Sequence, residues 1–240
     1  MRLHVNSLKR TTASNGSTDF SIILPYSITN FTTVALKEVL IPQTTYNIID
    51  GVNNNLSFND GTDESITVPS GNYSIYTLCS TIQSLMNSVS SGFTVSYDPT
   101  TFKVTISNSA TFSLSFTTSK SIWKPLGFTK SDLTGHMSYT GPNAVQLNQP
   151  MSLFIQISEL GTINQNIAGL QYTFKIPVTS TSGEINEINE TNSYLQCIKY
   201  PSERSINQLT VRLVYEDGNV VSLNGVDWEM LLEFDSRERY

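Results

Sequence analysis

The stretch VALKEVLIPQTTYNI, residues 34–48, decides how this sequence folds. Side chains alternate along a β-strand, so Val34 and Leu36 lie on one face while Val39 and Ile41 lie on the other. A strand with apolar side chains on both faces has to be covered on both sides. We therefore expect one face to pack in the core of the subunit and the other to be covered either by a partner or by another part of the chain.

Segments of strand character continue along most of the chain. They are rich in Val, Ile, Thr, Phe and Tyr and are separated by Gly, Pro and Asn. Outside residues 62–130 the predicted strands are Phe20–Leu24, Val34–Ile41, Met137–Tyr139, Met151–Glu159, Leu170–Val178, Tyr194–Tyr200, Gln208–Tyr215 and Trp228–Phe234. Eight antiparallel strands in two sheets are typical of a jelly roll. The sequence therefore predicts an all-β fold, a single jelly roll of two antiparallel four-stranded sheets.

Residues 62–130 predict a small α+β module inserted into the jelly roll. Apolar side chains recur at helical spacing in SGNYSIYTLCSTIQSLMNSV, residues 70–89, and Asn72 or Ser74 is a candidate N-cap. The predicted stripe consists of Ile75, Leu78, Cys79, Ile82, Leu85, Met86 and Val89. A second helical turn is predicted at Ser121–Leu126, ending at Gly127.

The domain boundaries follow from these elements. We predict an N-terminal arm at residues 1–18, a jelly roll formed by residues 19–61 and 131–240, and an insertion at residues 62–130. The polar, acidic stretch at residues 179–193 is predicted to be an exposed loop.

The charge distribution argues against a nucleic-acid-binding protein. Only 14% of the residues are charged, and the net charge is −6. Residues 181–240 hold 11 acidic and 5 basic side chains, whereas residues 1–180 hold 9 of each. A broad basic face is therefore not expected. A surface with so little charge favours a protein that covers much of its surface with partners.

The N-terminus carries a small basic cluster of Arg2, Lys9 and Arg10. It is either a solvated tail or an arm that reaches a partner. The first ten residues lack an apolar signal-peptide core, and no apolar run approaches the roughly 20 residues of a membrane span. Cys79 and Cys197 are too few for a disulfide framework, so we expect two reduced thiols.

No pattern of catalytic or metal-binding residues stands out. His4 and His136 have no second ligand at metal spacing, and nucleotide-binding and nucleophile-elbow motifs are absent. Glu229 and Glu233 lie in the same row of the closing strand and are candidates for the paired carboxylates of a glycosidase, but solvent-facing or interface-facing roles fit them better. We therefore expect a protein that is not an enzyme, with no catalytic residues, cofactor or metal.

The closing segment VDWEMLLEF, residues 226–234, predicts a strand with one buried face. The apolar row consists of Trp228, Met230, Leu232 and Phe234, with Val226 extending it. Glu229 and Glu233 lie in the opposite row, which should face solvent or a basic partner surface.

Four stretches in this order resemble the penton, or minor capsid, proteins of virophages and polinton-like DNA viruses. They are ILPYSITNFTTVALKEVLIPQTTYNI, VPSGNYSIYTLCSTIQSLMN, WKPLGF and VVSLNGVDWEMLLEF. None is a catalytic fingerprint, so the specificity of the resemblance lies in their order.

The resemblance implies a jelly-roll subunit that forms a homopentamer at each vertex of an icosahedral virus particle. It also implies double-jelly-roll major capsid proteins as neighbours, a place in the virion, and assembly inside the host cell. Candidate interface residues are Arg2, Lys9 and Arg10 of the arm together with Lys37, Glu38 and Tyr46. With Lys37 and Glu38 on opposite faces of their strand, each would pair with a different neighbour.

Two other functions remain open. A receptor- or glycan-binding jelly roll, such as a spike head, would expose aromatic side chains, for which Tyr46, Tyr73 and Tyr76 are candidates. A jelly-roll enzyme is disfavoured by the missing metal ligands.

Overall fold

The structure is a computed structural model that describes residues 1–13, 16–147, 150–161, 164–189 and 196–235. Within these residues the strands and the α-helix are β1 (Arg2–Asn6), β2 (Thr12–Ala13), β3 (Asp19–Pro42), β4 (Asn55–Asn59), β5 (Asp63–Thr67), α1 (Ile75–Val89), β6 (Thr94–Asp98), β7 (Lys103–Ser115), β8 (Leu133–Thr140), β9 (Ser152–Ile157), β10 (Asn164–Gln165), β11 (Gln171–Tyr172), β12 (Phe174–Pro177), β13 (Ile185–Asn189), β14 (Gln196–Val214) and β15 (Glu229–Asp235). Short 3-10 turns lie at Ser7–Lys9, Gly16–Thr18 and Ser158–Leu160.

The chain divides into two compact units. The first consists of Met1–Thr45 with Gln149–Tyr240, and the second is Tyr46–Asn148. The second unit thus extends beyond the insertion predicted at residues 62–130. The reason is strand pairing: β4 pairs with β5 and β7, and β8 pairs with β7, so the strands that flank the predicted insertion belong to its sheet.

The first unit is built around one antiparallel sheet that curls. Among the described residues its strands run in the order β1-β15-β3-β14-β9-β12, and β2 and β13 also pair with β3. β3 unites the predicted strands Phe20–Leu24 and Val34–Ile41, and β14 unites Tyr194–Tyr200 with Gln208–Tyr215, to the extent that these residues are described. The all-β jelly-roll prediction is confirmed, with one continuous curled network in place of two separate sheets.

The long strands bend where their pairing becomes irregular. Asn30 has a φ of 57° and lies near the middle of β3. The register between β14 and β3 shifts three times between Lys199 and Gln208. Asparagine tolerates the left-handed backbone region better than most side chains, so Asn30 suits a corner in a strand. These irregularities turn the strands while keeping apolar residues inside the unit.

A bulge in β3 shows that the prediction of a strand with two apolar faces is wrong. Val34 pairs with Phe234 and Leu36 with Leu232, but Glu38 pairs with Leu231, so Lys37 is an extra residue. Such a residue shifts the side-chain phase by one position. As a result the residues buried in one core are Val34, Leu36, Val39 and Ile41. No partner is needed to cover a second apolar face, and Lys37 and Glu38 do not separate onto opposite faces.

The N-terminal residues form part of the sheet and are not a free arm. β1 pairs with β15 over five residues, from Arg2 opposite Glu233 to Asn6 opposite Glu229. Val5 is 3% exposed and packs in the core. Residues 1–18 were predicted as an arm because their basic and polar side chains hide the alternation of Leu3 and Val5.

The acidic stretch predicted as a loop also contains a strand. β13 pairs with the end of β3, with Ile188 opposite Val39 and Asn186 opposite Ile41. Ile188 and Asn186 point inward and are buried, whereas Glu187 lies in the opposite row and Ile185 is exposed. Residues 190–193 of the predicted loop lie outside the described residues.

The second unit packs α1 against a five-stranded antiparallel sheet. Ser74 caps the helix by accepting a hydrogen bond from the Thr77 N–H at 3.1 Å. The buried residues of the helix are Leu78, Cys79, Ile82 and Met86, all of which belong to the predicted stripe. Val89, the last residue of that stripe, is exposed.

The segment WKPLGF closes the core of the second unit through turns and does not form a regular helix. Leu126 and Phe128 are buried, and Phe128 stacks on Phe116. Gly127 has a φ of 76°, and a Cβ atom there would lie 2.4 Å from the carbonyl oxygen of Asn143. The position therefore requires glycine.

The closing strand has the buried row that its sequence predicts. Trp228, Met230, Leu232 and Phe234 are all at most 3% exposed. The Trp228 indole N–H also donates to the carbonyl oxygen of Ser17 at 2.8 Å. Val226 does not extend the row, because it lies in a turn before β15 and is 40% exposed.

Replacing Trp228 by alanine should destabilise the chain by about 3–5 kcal/mol, because it opens a cavity in the core. Glu229→Gln should change the free energy of unfolding by no more than about 0.5 kcal/mol, because its side chain lies on the outer row. Denaturant melts of both variants measure the difference. Equal destabilisation by the two variants would contradict this assignment of faces.

Deleting Lys37 should destabilise the chain far more than Lys37→Ala. The deletion removes the bulge and turns two buried side chains outward, either Val34 with Leu36 or Val39 with Ile41. The cost should be on the order of 3–6 kcal/mol for two buried apolar side chains. Denaturant melts of the deletion variant and of Lys37→Ala measure this difference in stability. Similar stability of the two variants would show that the bulge does not determine which side chains of β3 face the core.

Candidate interaction surface

The outer face of the first unit's sheet is the strongest candidate for an interaction surface. Four strands, β1, β15, β3 and β13, lie side by side there. Their inward rows form the core. The side chains of the outward rows are Arg2, His4 and Asn6 of β1, Glu229, Leu231 and Glu233 of β15, Ala35, Lys37, Glu38 and Leu40 of β3, and Ile185, Glu187 and Asn189 of β13.

One end of this face holds a charge network. The Glu233 carboxylate contacts Lys37 Nζ at 2.8 Å and Arg2 Nε at 3.0 Å. The hydrogen bond from Lys37, followed by that from Arg2, lowers the pKa of Glu233 below its ordinary value. The two cations and the carboxylate are therefore engaged with one another on the surface of one subunit.

The middle of the face holds a second polar cluster. His4 Nε2 lies 3.1 Å from Glu229 Oε2, and Asn6 donates a hydrogen bond to the same oxygen at 2.8 Å. Because Asn6 lies opposite Glu229 in the register of β1 and β15, the strand pairing itself brings these groups together.

The turn after β1 is tied to the start of the closing segment. Arg10 Nη1 contacts Asp227 Oδ1 at 2.7 Å. The Ser7 hydroxyl donates to that oxygen at 2.7 Å and accepts the Trp228 N–H at 2.9 Å. These contacts hold residues 7–10 against the segment that leads into β15.

The other end of the face is apolar. A groove of about 220 Å³ is lined by Asn6, Leu8, Leu40, Pro42, Ile185, Asp227, Trp228 and Glu229. Leu8 is 62% exposed and Ile185 is 59% exposed. We name this feature the outer groove. Exposed aliphatic side chains in a concave surface are typical of a site that contacts another protein.

The candidate interface residues are found in both units. Arg2 and Lys37 meet in the charge network, and Arg10 lies at the outer groove through Asp227. Lys9 is exposed. Glu38 lies opposite Leu231 in the outward row, and Tyr46 is exposed in the second unit.

Sequence reasoning missed the apolar residues Leu8, Leu40 and Ile185 and the polar residues His4 and Asp227. The period-two pattern of Arg2, His4 and Asn6 was the signal that could have identified β1 as a strand with one polar face.

The two cysteines lie in different environments. Cys79 is buried on α1, and burial raises the pKa of its thiol to about 11. Cys197 is exposed on β14. Across the ranges that the structure describes, no group of three or more His, Cys, Asp or Glu side chains is placed to hold a metal ion. Nor does any helix in these ranges have the length and apolar character needed to cross a membrane.

The fold defines the class of this protein as a predominantly antiparallel β protein with a jelly-roll sheet and an inserted α+β unit. No protein-family model matches the sequence, and no curated protein matches it. Among solved structures, the chain is similar to the crystal structure of the selenomethionine-labelled penton protein of mavirus. The TM-score is 0.47 and the identity is 11%, covering 99% of this chain and 100% of that chain. At this identity, the function has to be argued from the chain's own residues.

Replacing Glu233 by glutamine should weaken the dependence of stability on acid pH. Because its folded pKa is lowered, Glu233 contributes stability above its ordinary pKa, and that contribution is lost as the pH falls through the lowered value. The Tm of the wild type should therefore fall more steeply than that of the variant below about pH 4.5. Glu64→Gln in β5 controls for the loss of one carboxylate. Parallel Tm curves of the wild type and Glu233→Gln would contradict the network.

Proposed function

We propose that this chain is a structural capsid protein that forms the pentameric vertex capsomer, or penton, of an icosahedral virus particle. The observation that carries the proposal is where the four penton-like stretches fall in the structure. Two of them, residues 23–48 and 220–234, contain most of β3 and β15, which pair with each other in the first unit. The other two, residues 68–87 and 123–128, contain most of α1 and the turn segment of the second unit's core.

This distribution favours a structural protein. The matching stretches are the segments that build the framework of each unit, and none of them is a catalytic fingerprint. In an enzyme we would expect some of the resemblance to concentrate on polar residues around a cleft. Here it follows buried side chains such as Trp228, Phe234 and Leu78, together with Gly127 at its obligatory turn.

The outer face of the first unit supports association with other protein subunits. At one end its charges are engaged within the subunit, and at the other end Leu8, Leu40 and Ile185 offer apolar area. A ring of five copies uses head-to-tail contacts, in which a patch on one subunit meets a different patch on the next. A face with one polar and one apolar end suits such an asymmetric contact.

The remaining parts of the proposal come from the sequence resemblance. The partners are four further copies of this chain and the double-jelly-roll major capsid proteins around the vertex. The protein resides in the virion and is assembled inside the host cell. The proposal requires no cofactor and no enzymatic activity.

Native mass spectrometry of the purified chain should detect a homopentamer, and negative-stain images should show rings of five. The measurement is made over a range of concentrations, alone and with a double-jelly-roll major capsid protein. A strict monomer under every condition would overturn the proposal. A monomer or trimer that binds a glycan array would instead support the receptor-binding alternative.

A further inference from the structure

Phe102 has an unusual backbone conformation for an aromatic residue. It lies in the loop that joins β6 to β7 and has a φ of 59°. The left-handed region is disfavoured for residues with a bulky side chain and is usually occupied by Gly, Asn or Asp. The other non-glycine residues with positive φ among the described residues are Asn30, Lys120 and Asn224. Phe102 is therefore the one aromatic side chain in this set.

The loop holds Phe102 in place through local hydrogen bonds. Asp98 accepts the Thr100 N–H at 2.9 Å and the Thr101 hydroxyl at 2.7 Å. The Phe102 carbonyl oxygen accepts the Val145 N–H at 2.9 Å. The backbone is thus fixed on both sides of the strained residue, which presents the side chain in a defined direction.

Packing within the subunit does little to offset this strain. The Phe102 side chain is 56% exposed, whereas the other phenylalanines described in the second unit are at most 2% exposed. Asparagine or glycine would adopt the same backbone with less strain and would expose no apolar surface. A contact outside the subunit would give the exposed ring a function that these smaller residues lack.

The outer groove has the size and chemistry to receive such a ring. Its volume of about 220 Å³ is below the roughly 300–1,000 Å³ of sites that enclose drug-sized ligands, so a single side chain is a better occupant. Leu8, Leu40, Pro42 and Ile185 supply apolar contacts. Asp227 and Glu229 are already bonded to Arg10 and His4, so the polar rim is engaged within the subunit.

We propose that Phe102 of one copy inserts into the outer groove of the next copy around the ring. This inference rests on the proposed function, because it assumes that copies of the chain associate. Phe102 belongs to the second unit and the outer groove to the first, so the contact joins two different patches. A heterologous contact between two copies leaves one Phe102 side chain and one outer groove unoccupied. Every Phe102 side chain and every groove is occupied only when the copies form a closed ring.

Replacing the Phe102 side chain distinguishes an effect on folding from an effect on assembly. Phe102→Asn should leave the Tm of the dissociated subunit unchanged or higher, because asparagine tolerates the backbone conformation. It should raise the concentration needed for half-maximal pentamer formation by about tenfold or more, as expected for removal of a buried aromatic anchor. Tyr26→Asn, at another exposed aromatic residue, is the control and should leave this concentration unchanged. Wild-type assembly by Phe102→Asn would overturn the inference.

The groove offers a matched pair of isoleucines. Ile185 in the outer groove and Ile23 on β3 are 59% and 64% exposed. Ile185→Asn should weaken pentamer formation, whereas Ile23→Asn should not. Equal effects of the two substitutions would contradict a specific role for the groove.

Cross-linking between two variants tests the contact directly. In a Cys197→Ser background, Phe102→Cys and Leu8→Cys are prepared separately, mixed, and exposed to mild oxidation. A disulfide-linked dimer should form in the mixture and should be scarce in either variant alone, because the contact joins unlike patches. If pentamers form but the mixture gives no more dimer than the separate variants, this inference is wrong and the penton proposal stands. If no pentamers form in the wild type, the proposed function itself fails.

Discussion

The hydrogen bonding of β3 along both of its edges is the constraint on which the first unit depends. β14 and β13 pair with one edge, and β15 and β2 pair with the other, so a single strand of 24 residues organises most of the sheet. A strand of this length cannot stay straight and still enclose a core. Asn30 provides a corner, and the bulge at Lys37 corrects the phase of the side chains beyond it. Each irregularity therefore interrupts the backbone pairing only locally and keeps the apolar side chains buried.

The elements that sequence reasoning predicted correctly are those decided by local side-chain patterns. The row from Trp228 to Phe234 and the helix capped by Ser74 each follow one period without interruption. The bulge at Lys37 has no such signal, because the residues around it fit a strand in either phase. The extra residue is visible only in the pairing of β3 with β15. There the consecutive residues Leu231 and Leu232 lie opposite Glu38 and Leu36. Pairing between distant segments is information that a local period does not contain.

The charged residues of the candidate site could be predicted from the sequence, but the residues that pair with them in the fold could not. The basic residues near the N-terminus and the acidic residues of the closing strand were both identified, but each group was predicted to face solvent or an outside partner. In the fold Arg2 meets Glu233 and Arg10 meets Asp227, more than 200 positions away along the chain. The antiparallel pairing of β1 with β15 places Arg2 opposite Glu233, and Arg10 and Asp227 lie just beyond the paired residues. Charge neutralisation within the subunit leaves apolar groups such as Leu8 and Ile185 as the distinctive feature of the surface.

The outer face suits the proposed association better than the edges of the sheet do. β1 and β12 end the main strand order, and an unpaired edge can recruit a strand from another chain. At β12 the Gln196 side chain hydrogen-bonds to both the N–H and the carbonyl oxygen of Lys175, so it occupies the place of a neighbouring strand. At β1 the polar side chains of Arg2 and His4 lie along a strand of only five residues. Short, polar or capped edges oppose open-ended strand addition, whereas the proposed insertion of one side chain into the outer groove would limit each copy to a defined neighbour.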